Sequence, residues 1–316
     1  MPERGGTVSQ LSVGCYGKLP IHGDFSRYNV GAAEISVLDR WFQEGLFTGQ
    51  KVLGGLFSDV FDRAPVSRFI FNMQSIGRVV LGVMMPSCDK TGRQFPFLVL
   101  TGAPAKEFGH EGALLPGIFE TFFDRAHAVM KDWIGKDLKT YVDKVGQLSC
   151  MLDTRSESRR VADLCLKLKV QTLFTETFGS PADVRKYMLI QNLVDVIKPN
   201  VAPRFALRFP NTTGGAQAAC WLEVLQKLMN KNGLPTLSVW NYTQNETAAH
   251  LTVLFEELHA KYLLPLLNPD RDSDVVYKLG KYGAGDDAKL AAAQKRYGAL
   301  CDSTTLTVPE LIRKLP

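Results

Sequence analysis

Two stretches rich in β-branched and aromatic residues, Arg68 to Met73 and Val79 to Met84, flank a short turn at Gln74 to Gly77. Runs of this kind separated by a tight turn read as paired strands. A third run, Phe95 to Thr101, follows the turn Asp89–Gly92. Strands joined by short loops must pair antiparallel, because parallel neighbours need a long crossover. Any fold of this chain is therefore built around an antiparallel meander.

Helical patterns surround it. Ile35, Leu38, Trp41, Phe42 and Leu46 recur at helical spacing, and Leu53, Leu56, Phe57 and Phe61 continue as a second helix that Pro65 ends. Val13 to Tyr16 reads as a strand leading into a Pro/Gly-rich turn. Beyond the meander, helices are expected at 114–133, 138–148, 159–174 and 182–197, the last entered through Pro181 and followed by Pro199. A second α+β unit is expected after Pro203. It has strands at 205–210, 236–240 and 250–255, a helix at 216–229 with Trp221 and Leu225 on its apolar face, and a helix at 256–266. The segment 268–316 is charged and weakly patterned, with one helix expected at 289–300. These readings give an α+β class with an antiparallel sheet flanked by helices. The expected divisions are a flexible tail at 1–10, a first domain with a helical extension at 11–200, and a smaller α+β extension at 201–316.

Composition narrows the function classes. A hydrophobic fraction of 45% and a charged fraction of 22% are those of an ordinary globular protein. The net charge of +5 is small for 316 residues, and no Lys/Arg block has interleaved aromatics, so nucleic acid is not an expected partner. The six cysteines form no Cys-x-x-Cys pair, which reads as reduced thiols. No apolar run is long enough to span a bilayer, and residues 1–10 lack the apolar core of a signal peptide. The expected location is the cytoplasm.

Two dense motifs carry the candidate chemistry. The first is Gly14-Cys15-Tyr16-Gly17-Lys18-Leu19-Pro20 with Gly23-Asp24-Phe25 and Arg27. The second is Pro86-Ser87-Cys88-Asp89-Lys90-Thr91-Gly92-Arg93-Gln94-Phe95-Pro96. Gly17-Lys18 is not a phosphate loop, since Leu19 stands where such a loop needs a metal-binding hydroxyl and Pro20 forces an extended turn. The structural reading is a tight turn that brings Lys18 near Asp24, with Gly17 and Gly23 supplying backbone freedom. Gly23-Asp24-Phe25-Ser26-Arg27 faintly echoes metal-dependent phosphatases, but the further aspartates of such a site are missing. Asp89-Lys90-Thr91-Gly92 matches the phosphorylated tetrapeptide of P-type ATPases, an accidental match without membrane helices. Asp89 can cap its own turn, and Arg93 can pair with Asp89 or Asp24. The cluster is then either a frame pinning two loops or a polar recognition patch. No nucleophile elbow appears, and the histidines His22, His110, His127, His250 and His259 form no metal pair. No catalytic set, cofactor site or metal site is expected.

Both motifs, in this order, with a Trp-bearing helix between them, resemble the TagF family (also called ImpM) of type VI secretion-associated proteins. That family reads aromatic-Gly-Lys-x-Pro-x-x-Gly-Asp-Phe, then Pro-Ser-x-Asp-x-x-Gly-Arg-x-Phe-Pro. The resemblance is close over about residues 12 to 105 and looser over about 204 to 267. It maps the family's motif positions onto Gly17, Lys18, Pro20, Gly23, Asp24, Phe25, Ser87, Asp89, Gly92, Arg93 and Pro96, with Arg27 beside them. It implies a longin or SNARE-like α/β sandwich for the first domain. It also implies a cytoplasmic, non-enzymatic repressor of secretion that acts after translation by contact with the forkhead-associated scaffold protein. The alternatives are a regulatory domain binding a ligand or nucleotide at the two loops, and a structural component of the baseplate or membrane complex.

Overall fold

The meander lies at the centre of a nine-stranded sheet. The computed structural model describes residues 9–108, 112–152, 154–230, 235–242 and 248–316. In chain order the strands are β1 (Ser9–Leu11), β2 (Gly14–Lys18), β3 (Phe25–Tyr28), β4 (Ser67–Met73), β5 (Arg78–Met85) and β6 (Phe97–Pro104). They continue with β7 (Cys150–Leu152), β8 (Ala206–Pro210), β9 (Leu237–Asn241), β10 (His250–Leu254) and β11 (Val276–Lys278). The large sheet has the order β11-β8-β10-β9-β4-β5-β6-β2-β3, and β1 pairs separately with β7. Every pairing is antiparallel except that of β11 with β8.

Side chains alternate across the sheet, as the period of an extended chain requires. Ile70, Val79, Leu81, Val83, Phe97 and Val99 face one core, while Phe69, Phe71, Val80, Met84, Leu98 and Leu100 face a second. The central strands are apolar on both faces because helices cover both. The helix Ala32–Leu53 covers the second face with Leu38, Trp41, Phe42 and Leu46, and Leu263 and Leu266 pack beside them. The first face is covered by the helices of the long insertion between β6 and β8, by the helix Gly215–Met229 and by the C-terminal helices. The protein is α+β, with a large, mostly antiparallel sheet between helical layers.

Several expectations need correction. Ser9 and Gln10, expected in a flexible tail, pair with Leu152 and Met151, while residues 1–8 lie outside the described residues. The helix expected at 114–133 is broken at Phe119, whose backbone leaves the helical region between Leu115–Ile118 and Glu120–Val129. The helix expected at 159–174 is two helices, Thr154–Lys167 and Val170–Phe178, with Lys169 bridged to Thr307 between them. The weakly patterned segment 268–316 supplies β11 as well as the helix Asp287–Cys301. A three-residue edge strand held by parallel pairing leaves too short a periodic signal to read from sequence.

The strands after residue 201 do not build a sheet of their own. Phe69 of β4 lies opposite Val239 of β9, and Arg68 opposite Trp240, so the sheet runs across the boundary expected near residue 200. Arg208 of β8 is 2% exposed. Its guanidinium donates to Thr252 Oγ1 (2.9 Å) and to the Pro265 carbonyl (2.8 Å), tying β8 to β10 and to the helix Leu263–Leu267.

Candidate functional site

The two motifs meet at the β2–β3–β6 end of the sheet. Gly17 of β2 lies opposite Phe97 of β6 on one side and Ser26 of β3 on the other. Its φ is +127°, and a Cβ built there would stand 2.1 Å from the Pro96 carbonyl oxygen. Only glycine allows the strands to approach this closely. Phe25 is the first residue of a strand rather than part of the turn, and it completes an aromatic cluster. Phe25 stacks on Tyr16 at 5.6 Å, and Phe95 meets both rings edge-on at 4.8 and 5.9 Å. Phe42 of the first helix meets Phe95 at 5.7 Å. Such contacts each add roughly 0.5–1.5 kcal/mol beyond area burial.

Asp89 is the hub. Its carboxylate is fully buried, and every donor around it comes from the motifs. Oδ1 accepts the Thr91 backbone N–H (2.9 Å), the Thr91 hydroxyl (2.7 Å) and the Arg93 backbone N–H (3.0 Å). Oδ2 accepts Arg93 Nε (2.6 Å) and faces Lys18 Nζ at 3.1 Å. Arg93 Nη2 then donates to the Gly23 carbonyl (2.8 Å), and the Lys90 N–H donates to the His22 carbonyl (2.9 Å). The second motif thus closes its own turn and clasps the first. Gly92, at φ +84°, supplies the turn's left-handed position.

Burial pushes the Asp89 carboxyl up, but the bonds from the Thr91 hydroxyl, the Arg93 N–H, Lys18 and the Arg93 guanidinium outweigh it. The result is a carboxyl held well below the usual carboxylate range. A group with a depressed folded-state pKa contributes its full stabilisation above its unfolded value, about 3.9, and loses it as pH falls toward the folded value. The difference in Tm between the wild type and Asp89→Asn should therefore be constant from pH 7 to about pH 4.5 and narrow below about pH 4. A difference that stayed constant down to pH 2.5 would mean that Asp89 does not hold the loops as an anion.

The structure divides the sequence-derived residues by burial. Gly17, Lys18, Asp89 and Pro96 are buried, and Pro20, Phe25 and Ser87 are half-buried. The Ser87 carbonyl accepts the Phe95 N–H (2.9 Å). Gly23, Asp24, Arg27, Gly92 and Arg93 form an exposed rim. The expected approach of Lys18 to Asp24 gives way to Lys18 on Asp89, because Lys18 points inward from β2. The Asp24 carboxylate instead accepts the N–H of Phe25 (2.7 Å), and Arg27 donates to the Val30 carbonyl. Gln94 belongs to the second motif but not to the positions that the family resemblance maps. Its amide donates to Ser58 Oγ (2.9 Å) and Asp62 Oδ1 (2.8 Å), joining the second loop to the helix Phe57–Asp62. Its position between Arg93 and Phe95 was the only available signal.

Among the described residues, no three His, Cys, Asp or Glu side chains gather as a metal-ion group, and no helix is long and apolar enough to cross a membrane. His110 lies outside the described residues.

The class defined by this fold and site is an α+β protein with two motif loops clasped on a buried carboxylate at one end of its sheet. Residues 14–145 match the TagF N-terminal domain, type VI secretion system-associated. Through that segment the chain is similar to the TagF family, and the matched domain is type VI secretion system-associated. It is also similar to PA0076 from Pseudomonas aeruginosa PAO1, known from a crystal structure. The identity is 30% over a match covering 44% of this chain and 63% of that one, with a TM-score of 0.40. No curated protein matches the chain.

Proposed function

We propose that the chain is a non-enzymatic accessory protein of a type VI secretion system that represses assembly or firing after translation. It acts in the cytoplasm by contact with the system's forkhead-associated scaffold protein. The observation that carries this reading is the match of residues 14–145 to a secretion-associated domain. The site geometry supports a contact role for the rim. Asp24 and Arg93 are exposed on the two loops that the buried Asp89–Lys18 pair holds in place, and Arg27 is exposed on the adjoining strand β3. Side chains presented on a rigid frame lose little entropy on binding.

The test uses tagged protein in secretion-competent cells, with mass spectrometry of what co-purifies. The wild type should recover the forkhead-associated protein. The pair Asp24→Lys and Arg27→Glu should weaken that complex at least about tenfold, equivalent to about 1.4 kcal/mol, with an unchanged melting curve. Recovery of baseplate or sheath proteins in its place would favour a structural role. Recovery of no secretion component would end the repressor reading.

A further inference from the structure

We propose that Cys165 and Cys220 are a paired modification site that a peroxide converts to an internal disulfide. Cys165 lies on the helix Thr154–Lys167 and Cys220 on the helix Gly215–Met229, which pack against each other. Their sulfurs stand 2.7 Å apart, with the Cys220 thiol donating to Cys165 Sγ. A covalent bond needs about 2.05 Å, so closure requires a movement of well under 1 Å. The other four cysteines, Cys15, Cys88, Cys150 and Cys301, are free thiols outside this pair.

Both sulfurs line a cavity of about 130 Å³, walled also by Leu114, Ala162, Val308 and Ile312. It is large enough for a molecule the size of hydrogen peroxide. The Cys220 thiol points its proton at Cys165 Sγ, so Cys165 is the sulfur assigned to attack. That sulfur takes one peroxide oxygen as the O–O bond breaks, giving a sulfenic acid and one water. The Cys220 sulfur then displaces that oxygen, and the S–S bond forms with release of a second water. Two thiols are oxidised and one peroxide is reduced to two waters. The linked sulfurs would join a helix before residue 201 to one after it.

The test exposes the folded full-length protein to hydrogen peroxide, quenches it in denaturant with N-ethylmaleimide, and reads intact mass and non-reduced peptide maps. The expected result is loss of two of the six alkylations, a peptide pair joined through Cys165 and Cys220, and full reversal by dithiothreitol. Closing a loop of this length should also raise Tm by about 5 °C. Cys165→Ser and Cys220→Ser should each abolish the link and the shift. Six alkylations after oxidation, a link between other cysteines, or oxidation that stops at a sulfinic acid would each overturn the proposal. The peptide map of the wild type decides the matter even if a serine variant folds poorly.

Discussion

Gly17→Ala should destabilise the protein by about 3–5 kcal/mol, combining overpacking with backbone strain. The new Cβ would lie 2.1 Å from the Pro96 carbonyl oxygen and 2.8 Å from Phe97 Cα, both backbone atoms with no rotamer in which to retreat. The backbone at φ +127° is also closed to a residue with a side chain. Relief requires β2 to move away from β6, which carries the adjacent Lys18 away from Asp89. Loss on this scale is a large share of a typical domain's stability. Two companion variants separate the causes. Gly92→Ala has open space but φ +84°, so it should lose only about 1 kcal/mol from the backbone. Gly23→Ala has open space and no positive φ, and should stay within about 0.5 kcal/mol of wild type. Chemical denaturation of the three variants orders them. Equal effects at Gly17 and Gly23 would mean that the β2–β6 approach is not close.

Trp240→Ala should cost about 3–5 kcal/mol, the range for deleting a buried aromatic side chain. Trp240 is fully buried and meets Phe123 edge-on at 5.0 Å. It lies on β9, opposite Arg68 of β4 and Leu251 of β10. The loss should therefore be felt on both sides of residue 201. Hydrogen exchange under mild denaturant should show β5 and β10 amides opening together in the variant, because each belongs to the same hydrogen-bonded sheet. Early opening of 201–316 with β4 and β5 still protected would show that the segment is an independent unit.

The sequence by itself determined the meander and the motif pair. Turn chemistry at Gly77 and continuous apolar runs are local signals, and β4, β5 and β6 form where those signals lie. The helix Ala32–Leu53 follows from the spacing of Leu38, Trp41, Phe42 and Leu46 for the same reason. Self-capping of the Asp89 turn was legible because its donors lie within four residues.

Only the tertiary structure decided the rest. Whether Lys18 faces Asp24 or Asp89 depends on which way β2 points its side chains, and β6 sets that through a register with no trace in the intervening residues. The pairing of β4 with β9 joins residues about 170 positions apart, and exposed edges carry no label naming the strand that will cover them. The same holds for Cys165 and Cys220, brought together by the packing of two helices rather than by any spacing along the chain. Local patterns specify elements because their period is written into consecutive residues, whereas the division of the motif into buried frame and exposed rim arises only when distant strands meet.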